Sequence, residues 1–223
     1  MRRLHPLLPA LVAIGILLAA AAPVGARVED YARVIRSRHA GATFVQVDGC
    51  RQVEVFVSAM DAKFGSRRGP VNKQGLVGVF YRELDICDGP GPRFPVVFSA
   101  DAQSLDKLVT SPRFDTASID VQLNGTDGNG NPVVIGLQLE WAAIGGFERS
   151  KISSNEWFPV GEKRGARVHT FSHGLSAGAT ASGSVTIAGA EVELSPTTDA
   201  TLEQIRYFCQ VIQHPHGGFD VDC

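Results

Sequence analysis

The sequence predicts an all-β protein: a single-domain antiparallel β-sandwich or barrel, stapled by disulfides. Three observations predict it. The dominant hydrophobic period is two, in short runs enriched in Val, Ile, Thr and Phe. Clusters of Gly, Pro, Asn and Asp at 65–70, 88–92, 124–132 and 161–165 separate those runs. Four cysteines, Cys50, Cys87, Cys209 and Cys223, follow an N-terminal segment of export type. The alternation itself favours antiparallel pairing, because strands buried in parallel sheets read as continuous apolar runs.

Taken in order, residues 1–26 have a basic start at Arg2 and Arg3, an apolar run over 7–22 and small residues before Arg27. That is the plan of a secretory signal peptide, cut before Arg27. The remaining 27–223 suit one all-β domain, with 27–41 read as a loose lead-in. "TFVQVDG" opens the strands. "RQVEVFVSA" alternates at Val53, Val55 and Val57, and "GLVGVFYRELDI", "RFPVVFSA", "ASIDVQLNG", "PVVIGLQLEWAA", "ARVHTFS" and "GSVTIAGAEVELS" follow. Two stretches are ambiguous. "SADAQSLDKLV" also suits a short helix capped by Ser99 or Asp101. "TLEQIRYFCQVI" carries a helical stripe at Leu202, Ile205, Cys209 and Ile212, but its second half reads as a strand.

The disulfide pairing follows from a hairpin. If 51–60 and 75–86 pair antiparallel, Cys50 and Cys87 come opposite one another at the open end. Directly opposed Cβ atoms lie about 4.5–5.5 Å apart, close enough for a bridge after small adjustment. Cys209–Cys223 then follows by elimination.

In the order of these features the chain resembles a group of uncharacterised secreted bacterial all-β proteins. An early strand carries a Cys, a second Cys ends a later strand, and a strand reads "IGLQLEWAAIGG". A Gly/Ala/Ser-rich strand like "ATASGSVTIAGAEVELSP" precedes the C-terminus. The group has no established activity, so the resemblance implies secretion and an all-β domain and assigns no functional residue.

Charge narrows the partners. The formal net charge is −2 and the isoelectric point is near 6.3. The linear sequence holds no basic stripe, only pairs such as Arg67-Arg68 and Lys163-Arg164. A nucleic-acid partner is therefore not expected, and no later apolar segment is long enough for a membrane span.

Several motifs suggest chemistry. Gly174-Leu175-Ser176-Ala177-Gly178 is a literal G-x-S-x-G. A nucleophile elbow needs a strand turning sharply into a helix, whereas "AGATASGSVTIAGAEVEL" reads as a strand. Candidate metal ligands are His169 and His173, on one strand face, with His214 and His216 near the chain end. The competing reading of the last two is a solvated terminus. "NGTDGNGNP" spaces Asp127, Asn129 and Asn131 like a calcium loop, but Pro132 and Gln138 stand where such a loop needs Gly and Glu. A hairpin turn is the expectation there. Glu140, Glu191 and Glu193 are the carboxylates available for glycoside hydrolysis, and Trp141, Trp157 and Phe158 the aromatics available for sugar stacking. No cofactor is expected. The leading expectation is a secreted, non-enzymatic binding or surface module with a glycan or protein ligand. The alternatives are a secreted hydrolase, using a carboxylate pair or Ser176, and a carbohydrate-binding module.

Overall fold

The computed structural model describes residues 32–66, 72–88, 94–159 and 165–212. Among these residues there are nine strands and no helix: β1 (Ala32–Asp48), β2 (Arg51–Ser66), β3 (Asn72–Asp85), β4 (Val96–Ser104), β5 (Val109–Thr110), β6 (Thr116–Asp127), β7 (Pro132–Pro159), β8 (Gly165–Ile187) and β9 (Ala190–Ile212). Every pairing is antiparallel, in the order β4-β3-β2-β1-β9-β8-β7-β6-β5. A further pairing, Ala100↔Asp127 to Ala102↔Gly125, joins β4 to β6 and closes eight of the strands into a barrel. The two-residue β5 lies on the rest of the β6 edge.

Alternation sets the two surfaces of the wall. Phe44, Val55, Val57, Val79, Tyr81, Ile119, Leu123, Leu137, Leu139, Trp141, Val185 and Leu202 point inward and are buried. An eight-stranded barrel has an interior just wide enough for side chains to fill, and here Trp141, Tyr81, Phe44 and Phe114 supply the bulk. The opposite faces of β6, β7 and β8 carry Ser118, Asp120, Gln122, Gln138, Glu140, Ser182 and Ser184. The outward faces of β1, β2, β3 and β4 are more apolar, with Val45, Val47, Phe56, Phe80 and Val97 exposed there. No helix among the described residues is long and apolar enough to cross a membrane.

Both ends of the barrel are closed. At one end the Tyr81 hydroxyl donates to Glu83 Oε1 at 2.6 Å, and Arg51 pairs with the same carboxylate. Burial, then the bond to Glu83, push the Tyr81 phenol well above its ordinary pKa. Next to this end the Cys50–Cys87 disulfide spans a Cα–Cα distance of 5.1 Å, on the hairpin expected from sequence. The register runs from Arg51↔Asp85 and is extended by the Ile86 amide donating to the Cys50 carbonyl at 2.8 Å. At the other end the segment between β4 and β6 folds across the opening as a plug. It sinks Leu108 and Phe114 into the core. Arg38 Nη1 donates to Thr110 Oγ1 at 2.5 Å and to the Ser111 carbonyl at 3.3 Å, with its guanidinium 5.3 Å from the centre of the Phe114 ring. Across the barrel, the Trp141 indole donates to the Gly41 carbonyl at 3.1 Å.

Two glycines make this packing possible. A Cβ at Gly75 would meet the Asp106 carbonyl oxygen of the plug at 1.9 Å, and one at Gly125 would meet the Asp101 carbonyl oxygen at 2.1 Å, on the seam that closes the barrel.

Three expectations change. Residues 32–41 are the first half of β1, not a loose lead-in, because β2 and β9 pair along both of its edges. "SADAQS" is strand β4, and its apolar continuation at Leu108 belongs to the plug rather than to a helix. "TLEQIRYFCQVI" is strand throughout. The expected signal peptide 1–26 lies outside the described residues. Cys209 is disulfide-bonded, while Cys223, its expected partner, also lies outside them.

Candidate functional site

The barrel uses only part of its longest strands. β1, β2, β3, β7, β8 and β9 continue past the plug as a six-stranded antiparallel sheet, while β4 and β6 stop at the barrel. Between Ile144 and Glu148 the register of β7 shifts against β8, with Gly145 in the left-handed region at φ 76°. A bulge of this kind bends the strand and tightens its twist.

Directly opposed residues of an antiparallel pair share a face, so the register says which side chains line up. One row crosses all six strands: Lys73 on β3 faces Lys63 on β2, which faces Arg36 on β1, then Arg206 on β9, His173 on β8 and Lys151 on β7. Five cations and a histidine thus stand side by side. They lie on the face that becomes the core wall inside the barrel, since Arg36 is two residues from Arg38 and four from buried Ala40. Lys73, Lys63, Arg36, Arg206 and Lys151 are exposed. Among the described residues none of the five is in an ion pair or a side-chain hydrogen bond; the two ion pairs there are Arg51–Glu83 and Arg82–Glu54. Neighbouring rows on this face add Arg38, Asp61 and Arg149 on the plug side and the half-buried pair Phe171↔Phe208 on the outer side. With inter-strand spacings of about 4.8 Å, the row spans roughly 24 Å.

The residues singled out from sequence fall as follows. His169 and His173 do share a face of β8, but they are four positions apart, roughly 13 Å along a strand. That is too far for parallel imidazoles to hold one ion at about 2 Å. His169 Nε2 lies 3.3 Å from Ser153 Oγ. His173 Nε2 is buried with no hydrogen-bond partner, between Lys151 and Arg206, a setting that repels a divalent cation. No group of three or more His, Cys, Asp or Glu among the described residues is arranged to hold a metal. His214 and His216 lie outside the described residues. Ser176 sits within β8, exposed, opposite Glu148 and Glu203. The strand runs straight through it, without the strand-to-helix elbow, and three residues of spacing put His173 on the other face.

The 124–132 loop is a hairpin turn as expected. Asp127 Oδ1 accepts from the Asn129 and Asn131 amides at 2.9 and 2.8 Å, and Oδ2 accepts from Asn131 Nδ2 at 2.9 Å. Those bonds hold the exposed carboxyl below its ordinary pKa and already occupy its oxygens. Glu191 and Glu193 are exposed on the outer face of β9. Glu140 lines a cleft of about 500 Å³ with Thr110, Ser111, Ser118, Thr180 and Ser182, and it is the only carboxylate among the lining residues. Trp141 is a core residue, 1 % exposed. Trp157 and Phe158 lie on β7, but their side chains fall outside the described residues.

The chain matches no protein-family model, no curated protein and no solved structure.

The cationic row is what sequence reasoning missed. Its members come from six strands and never sit together in the chain. The absence of a linear basic stripe is accurate for the sequence and does not carry over to the surface. The signal that finds the row is register: Asp48↔Arg51 closes the first hairpin, and Arg36 and Lys63 lie twelve residues out from it on either side.

Proposed function

We propose that the protein works outside the cytosol as a non-enzymatic binding module, exported by residues 1–26. The observation that carries this reading is the sheet that continues past the plug. The barrel interior is filled and plugged, and the other face of the extended sheet buries Ser37, Met60, Ala62, Val168 and Cys209, which leaves the face of Arg36, Lys63 and Arg206 as a surface that the core does not require. The Cys50–Cys87 disulfide fits an oxidising compartment, and the resemblance to secreted all-β proteins points the same way.

A second reading has one observation in its favour. The hydroxyl-lined cleft around Glu140 offers a place for a neutral sugar, and with it a carbohydrate-binding or hydrolase role. A lone carboxylate does not supply the acid and base pair of a glycosidase. The two readings separate in one experiment: the mature 27–223 chain is screened against a glycan array and a panel of chromogenic ester and glycoside substrates. Saturable binding without turnover supports a binding module. Turnover lost in Glu140→Gln or Ser176→Ala refutes it.

A further inference from the structure

We infer that the cationic row binds a linear acidic polysaccharide, a uronate or sulfated chain lying across the six strands. The inference deepens the proposed binding role and rests on it. It starts from a local conflict in the fold. Like charges set directly opposite one another across a strand pair are unfavourable. Lys73↔Lys63, Lys63↔Arg36 and Arg36↔Arg206 place three such pairs in succession, and His173 with Lys151 continues the line. Nothing in the core requires cations there, because the row lies beyond the plug and its five Lys and Arg side chains are exposed. Nor are they neutralised internally, since the described acids form their ion pairs at the other end of the barrel. An arrangement that costs stability and serves no packing role is what a ligand site looks like before the ligand arrives.

The shape of the charge selects the ligand. The row is roughly 24 Å long and is widened only locally, by exposed Arg149 beside Lys151, so it matches a polymer with a charge at each repeat better than a single small anion. The chain as a whole is slightly acidic, at −2, so a broad anionic membrane would face repulsion from the rest of the surface. Arg36 and Arg206 provide planar forks for carboxylate or sulfate oxygens, while the lysines act as point charges. Phe171 and Phe208, opposed in the adjacent row on the same face, give an apolar flank for a sugar ring. The disulfide associates the protein with compartments where acidic polysaccharides are common ligands and nucleic acids are not.

The test uses the mature chain and fluorescein-labelled oligosaccharides of polygalacturonate and of heparin, read by anisotropy as salt is raised. Wild type is expected to bind at least one of them, with the logarithm of the affinity falling linearly in log salt as counterions are released. Which of the two binds more tightly identifies carboxylate or sulfate as the recognised group. Arg36→Gln/Arg206→Gln should weaken binding about tenfold or more. The variant with Lys63, Lys73 and Lys151 also changed to Gln should lose binding and nearly all the salt dependence. Its Tm at low salt should be no lower than wild type, because like-charge pairs have been removed. Arg51→Gln, at the opposite end of the barrel, should change affinity less than twofold. Failure of wild type to bind either probe at low salt overturns the inference, and so does undiminished binding by the five-site variant. Tighter binding to a single-stranded oligonucleotide or to anionic phospholipid vesicles overturns it in favour of those partners. Binding of a neutral glycan alone overturns it while leaving the binding-module reading standing. Substrate turnover refutes the binding module itself.

Discussion

Tyr81 shows how a single residue ties the core to the chemistry of the barrel end. Its ring is buried and its hydroxyl meets a carboxylate, so the folded state resists ionising it. The unfolded chain releases that proton near pH 10. Stability is therefore intact below about pH 10 and falls as pH rises beyond it, by up to ~1.4 kcal/mol per pH unit. In Tyr81→Phe this part of the alkaline loss should vanish, as measured by urea unfolding between pH 8 and 11. Gly125 is a steric counterpart: Gly125→Ala drives a methyl into the β4 backbone at the closing seam. The expected destabilisation is roughly 1–3 kcal/mol or more, with β4 and β6 amides losing hydrogen-exchange protection first. At this scale the sequence was informative about small facts and silent about large ones. The Asp127 turn was readable because Asn-Gly and Asp-Gly supply turn geometry locally. The roles of Gly75 and Gly125 were not, because each depends on a carbonyl far away in the chain.

At the scale of elements, strand existence was legible and strand extent was not. Val53, Val55 and Val57 alternate with the polar Gln52, Glu54 and Ser58, so β2 announces itself. β9 does not, because it is covered differently along its length. Leu202 faces the core, while Ile205 and Cys209 lie on the opposite face, Cys209 fully buried and Ile205 half-buried. Apolar residues on both faces of one strand produce a three-to-four spacing that imitates a helix. β1 was read as a lead-in over its first half because "VIRSRHA" mixes charge with apolar residues. Its order comes from pairing with β2 and β9, and sequence cannot display partners. The Cys50–Cys87 bridge was legible because both ends of one hairpin are visible locally. Its sequence separation of 37 puts its contribution at about 2–4 kcal/mol. Cys50→Ser/Cys87→Ser should lower the urea midpoint accordingly while preserving the far-ultraviolet β spectrum. An unchanged midpoint would mean that the hairpin, not the bridge, closes this end of the barrel.

At the scale of the molecule, closure and charge are collective properties of register. A barrel exists because β4 reaches β6, a contact that no local pattern in β4 or β6 encodes. The cationic row exists because five strand pairings place residues from 36 to 206 in one line. The sequence-wide charge of −2 conceals it, since net charge averages away the field of an organised patch. A one-residue slip in any of those pairings would turn the affected side chains to the other face, so the row and the fold stand or fall together. The most direct measurement is an amide NMR titration of the mature chain with the acidic oligosaccharide. The predicted result is saturable shift changes concentrated at Arg36, Lys63, Lys73, Lys151, His173 and Arg206, absent in the five-site Gln variant. Shifts concentrated instead around Glu140, Ser118 and Ser182, or no saturable shifts at all, would contradict the account.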